Sequence, residues 1–74
     1  MIKIFLNSSN CEFVEWQKGN KRYKCFRNVD DEFIFYSLYI TNLTSLKIGS
    51  PIISDSLADI NEWLKKTNIE IEEY

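Results

Sequence analysis

Seventy-four residues give room for one domain and one modest core. A composition of 45% hydrophobic, 27% charged and 15% aromatic residues excludes an intrinsically disordered chain. A net charge of −2 excludes wholesale attraction to nucleic acid or acidic membrane.

In chain order, Met1 to Leu6 reads as a first strand, and Asn7-Ser8-Ser9-Asn10 as a polar loop into a second. An antiparallel return through that loop sets Leu6 beside Cys11 and Ile4 beside Phe13. The runs from Glu12 to Lys18 and from Lys21 to Asn28 flank Gly19-Asn20, a pair suited to a two-residue type II′ hairpin. That turn places Lys18 opposite Lys21, and the remaining register follows. Trp16 meets Tyr23, Val14 meets Cys25 and Glu12 meets Arg27 on one face. Phe13 meets Phe26, Glu15 meets Lys24 and Gln17 meets Arg22 on the other. Aromatic then faces aromatic and acid faces base.

Phe33 to Thr41, rich in aromatic and β-branched residues, reads as the next strand. Pairing it about Asp30-Asp31 sets Cys25 against Tyr36, Tyr23 against Leu38 and Arg27 against Ile34. One face of the ribbon then carries Val14, Trp16, Tyr23, Cys25, Ile34, Tyr36, Leu38 and Ile40. The other carries Phe13, Phe26 and Phe35 in a row, with Phe33 and Tyr39 alongside. Asn42 to Ser45 reads as a turn, Leu46 to Ile48 as a short fifth strand, and Gly49-Ser50-Pro51 as a break.

One helix is expected over 54–68, with the apolar stripe Ile53, Leu57, Ile60 and Leu64 and with Trp63 on its shoulder. Ser54 or Ser56 caps it, the latter through a Ser-x-x-Asp box with Asp59, and Asn68 suits a left-handed stop. Ile69 to Tyr74 alternates like a closing edge strand with an acidic outside. The fold class is therefore α+β: an antiparallel four- to five-stranded meander over 1–48, one C-terminal helix packed on one face, and a short edge strand at 69–74.

One helix stripe covers one face of such a sheet, and both faces are apolar. If the phenylalanine row is interior, Trp16, Tyr23, Tyr36 and Leu38 need a cover. If the row is open, it marks a surface for a partner. Three aromatic side chains bury on the order of 500 Å² together, as much as the largest apolar patch of an ordinary monomer. The expected binding residues are Phe13, Phe26, Phe35 and Tyr39, rimmed by Lys18, Lys21, Arg22 and Lys24.

There is no histidine, which removes the usual general base, the usual zinc ligand and every nucleophile–histidine pair. Neither an enzyme nor a cofactor is expected. Asp30-Asp31-Glu32 lacks the alternating ligands and glycine of a calcium loop and reads as a turn. Cys11 and Cys25 point to opposite faces and read as reduced thiols. Ile2 to Leu6 is too short for a signal core and nothing is long enough to span a bilayer, so a cytoplasmic location without membrane is expected.

The expected function is a small protein-binding module, a regulator, adaptor or inhibitor of the kind phages and mobile elements encode, with a homodimer as its simplest assembly. The alternative is single-stranded DNA or RNA binding by the basic hairpin and its aromatics. A four-stranded meander followed by a helix resembles the layout of the single-strand-binding transcription coactivators, in order of elements alone, and that resemblance implies the nucleic-acid alternative.

Overall fold

The chain folds as β1 (Ile2–Leu6), β2 (Phe13–Lys18), β3 (Lys21–Asp30), β4 (Phe33–Asn42), β5 (Lys47–Ile48), β6 (Ile52–Ser54), α1 (Leu57–Leu64), a 3-10 turn (Lys65–Thr67) and β7 (Ile69–Glu73). This α+β architecture comes from a computed structural model that describes residues 1–7 and 13–74. Strands β2, β3 and β4 form an antiparallel sheet, and β5 and β6 both pair with the far edge of β4.

The β2–β3 hairpin has the register that Gly19-Asn20 dictates. Phe13 pairs with Phe26, Val14 with Cys25, Glu15 with Lys24, Trp16 with Tyr23, Gln17 with Arg22 and Lys18 with Lys21. Gly19 holds φ 63°, the left-handed conformation that glycine enters without cost. The expected Glu12–Arg27 and Leu6–Cys11 pairs lie outside the described residues.

The β3–β4 register differs from the expected one by two residues. Cys25 faces Leu38, Tyr23 faces Ile40 and Arg27 faces Tyr36. The chain reverses over Asp31-Glu32, with Asp31 at φ 55°, a conformation that aspartate tolerates better than most residues. A two-residue slip leaves every side chain on its own face, because the strand period is two. Hydrophobic pattern alone therefore cannot separate the two registers.

β1 does not join the meander. It pairs in parallel with β7, matching Ile2 to Ile69, Ile4 to Ile71 and Leu6 to Glu73. Both strands alternate with period two, so their apolar sides turn inward together. Leu6, Ile69 and Ile71 are buried, while Lys3 and Glu72 form an outward ion pair at 2.9 Å. Hydrogen bonds from Ile2 N to Asn68 O and from Tyr74 N to Leu6 O, both 3.0 Å, extend the ladder at each end. The layout shared with the transcription coactivators thus loses its first strand.

The helix is shorter than expected, because Ile52 and Ile53 form β6 after Pro51. β-branched residues prefer that extended conformation. Ser56 stands at the N-cap with extended dihedrals, but its side chain makes no capping bond. Asp59 instead accepts from Ser54 Oγ at 2.7 Å, and Asp59 N donates to Ser56 O. Asn68 ends the 3-10 turn in the left-handed conformation at φ 61°, as its residue type suggests.

The core lies between the main sheet and a second layer made of α1 and the β1–β7 ribbon. It contains Leu6, Tyr23, Cys25, Tyr36, Leu38, Ile60, Leu64, Ile69 and Ile71. Each fully buried aliphatic side chain here contributes roughly 1.5–3 kcal/mol. The helix and ribbon cover the tyrosine–tryptophan face, and the phenylalanine face is left to solvent.

Candidate functional site

Strand alternation turns Phe13, Phe26, Phe35 and Tyr39 away from the helix. Phe13 remains 48% exposed, Phe33 57%, Ile53 61% and Ile48 66%. Pairing of Ser37 with Ile53 and of Thr41 with Ile48 puts both isoleucines on the same face. Sequence reasoning missed these two, having given Ile53 to the helix. The signal that would have found it is the Ile-Ile pair directly after Pro51.

The expected unbroken row of phenylalanines is instead two clusters. The shifted β3–β4 register brings Ser37 opposite Phe26 and Asn28 opposite Phe35. Phe26 has Phe13 on one side, with ring centroids 5.4 Å apart, and Tyr39 edge-on at 5.6 Å. Phe33 and Phe35 stack separately at 6.0 Å. Between the clusters Asn28 Nδ2 donates to the buried Ser37 Oγ at 3.0 Å, which satisfies a polar pair inside an apolar surface.

Each cluster borders a shallow depression. One, of about 320 Å³, is lined by Glu15, Arg22, Lys24, Phe26, Tyr39, Thr41 and Ile48. The other, of about 450 Å³, is lined by Asp30, Phe33, Phe35, Ile53, Ser54 and Asp55. The face is therefore basic at one end and acidic at the other.

The four expected rim bases do not act together. Lys18 and Lys21 lie on the helix side, where Lys18 Nζ donates to Thr67 O. Arg22 and Lys24 lie on the phenylalanine face, each 3.8 Å from a Glu15 carboxylate oxygen. Lys24 Nζ also sits 4.2 Å from the Phe13 ring centroid and 5.2 Å from that of Phe26, a cation–π arrangement.

On the covered side Trp16 stacks on Tyr23 at 5.3 Å and 5°. Tyr36 Oη donates to Glu73 Oε2 at 2.5 Å, and Arg27 Nε lies 2.7 Å from Glu73 Oε1 without its N–H aligned on that oxygen. Burial first, and Glu73 second, push the Tyr36 hydroxyl up to about 12. Burial alone pushes the free Cys25 thiol up to about 12, a packing group and not a nucleophile.

Among the described residues no group of three Asp, Glu or Cys side chains gathers to hold a metal ion, and no helix is long and apolar enough to cross a membrane. Among the described residues the arrangement offers apolar contact and charge. Comparison with protein-family models, with curated proteins and with solved structures finds no match for this chain.

Proposed function

We propose that this chain is a non-enzymatic protein-binding module whose binding surface is the phenylalanine face of the sheet. The carrying observation is that five strands place two aromatic clusters and two isoleucines on the side opposite helix α1. Apolar clusters on one face, rimmed by charge, are characteristic of partner surfaces.

Nucleic acid fits the same surface less well. Base stacking needs free rings beside uncompensated cations. Here Lys24 already occupies the Phe13 and Phe26 rings, and Glu15 offsets Arg22 and Lys24. With Lys18 and Lys21 on the opposite face, few phosphate contacts remain, and the binding would be weak.

The test is a photo-crosslinking residue placed at Phe35 in the full chain, with a control at the exposed Trp63 on the helix. The expected result is polypeptide adducts at position 35, absent at position 63 and lost when Phe26→Asp is added. Adducts to RNA or DNA, or no adduct to any polypeptide including the chain itself, overturn the reading.

A further inference from the structure

The strand registers arrange the phenylalanine face in five rows across the sheet. From the basic end these are Gln17–Arg22–Thr41–Ile48, then Glu15–Lys24–Tyr39, then Phe13–Phe26–Ser37–Ile53, then Asn28–Phe35, and last Asp30–Phe33. Successive rows lie two residues, or about 6.8 Å, apart along the strands. The Arg22 and Asp30 rows are therefore each about 14 Å from the middle row, on opposite sides of it. Their charges are opposite and the aromatic rows between them match, with Tyr39 and Phe35 equally spaced about Ser37.

A surface of this pattern is complementary to itself turned end for end. We propose that the occupant of the phenylalanine face is a second copy of this chain. The two sheets pack face to face with antiparallel strands, about a twofold axis along the Phe26–Ser37–Ile53 row. This assignment rests on the reading of the face as a protein-binding surface and names its partner.

In that arrangement Arg22 of each copy stands over Asp30 of the other. Tyr39 meets the Phe35 row, and Thr41 meets the Phe33 row. Asp30 is exposed and makes no ion pair among the described residues, so it is open to such a partner. The Arg22–Glu15 contact, at 3.8 Å and half exposed, is loose enough to be exchanged. A twofold axis closes the assembly at two copies.

The five rows and four strands cover about 27 by 15 Å in projection, on the order of 400 Å² per copy. With side-chain relief the total reaches about 1,000 Å², the lower limit for a specific interface. A dimer with a dissociation constant on the order of 10 μM is expected.

Sedimentation equilibrium on the full chain tests this. The expected mass is twice 8.8 kDa at roughly 100 μM, falling toward one chain on dilution. Arg22→Asp and Asp30→Arg, made separately, each put like charges together across the axis and weaken the dimer at least about tenfold. Mixed in equal amounts, the two variants restore it, because each then meets its opposite.

A single-chain mass at that concentration overturns the proposal, as does a dimer that neither variant weakens, or weakened variants whose mixture does not recover. The wider reading is judged separately. Heterologous polypeptide adducts at position 35 from a monomeric chain preserve the binding surface and remove the second copy, whereas a monomer without adducts removes both.

Discussion

Tyr36 and Cys25 both hold their protons in the folded chain beyond their ordinary values of 10.0 and 9.0, up to about 12 in each case. The unfolded chain releases those protons first, so between about pH 9 and 12 it binds fewer of them than the folded chain. Folding free energy is therefore complete below pH 9 and is lost as the pH rises through that window. Thermal melts taken across it are expected to show a falling midpoint. In Tyr36→Phe the part of the fall between 10 and 12 that belongs to the hydroxyl should be missing. On the opposite face the equivalent single-residue decision is made by Ser37, which splits the aromatics into two clusters by standing opposite Phe26.

The elements differ in how openly the chain announces them. The β2–β3 hairpin was readable from Phe13 to Phe26, because Gly19 demands one turn and a slip of one residue would reverse Phe13, Trp16, Tyr23 and Phe26 together. The β3–β4 pairing was readable only to within two residues, since Asp30, Asp31 and Glu32 all suit a turn and each even shift preserves the faces. The parallel β1–β7 pair was not readable locally, for its partners are separated by nearly the whole chain and only tertiary burial selects them. The candidate site inherited these differences: which residues share a face was legible, which face the helix covers was not, and the division into charged halves depended on the slipped register. Helix α1 is pinned to the ribbon by Asn61, whose Nδ2 donates to Ile71 O at 3.0 Å and whose Oδ1 accepts from Ile71 N at 2.8 Å. The amide thus imitates a neighbouring strand and blunts the outer edge of β7. Asn61→Ala leaves both Ile71 backbone groups partly buried without those partners and is expected to lower stability by about 1–3 kcal/mol, measured by urea denaturation.

At the scale of the molecule, one core is closed by two layers that meet at Leu38, which is fully buried between sheet and helix. Leu38→Ala should cost about 2–5 kcal/mol, a large share of what a domain this small possesses, and a reduced urea midpoint with unchanged slope would register it. The opposite face carries its aromatics outside that core, so Phe26→Asp with Phe35→Asp is expected to keep the fold, judged by an unaltered near-ultraviolet spectrum, and to abolish association. The pairing of the first strand with the last has a consequence for how the chain comes into being. While it grows, residues 2–6 lack their pairing strand until 69–73 have been made, and the floor of the interior is missing until then. Maturation therefore waits until residues 69–73 have been made, and a product stopped after Lys66 should emerge sticky, protease-sensitive and without a cooperative melt.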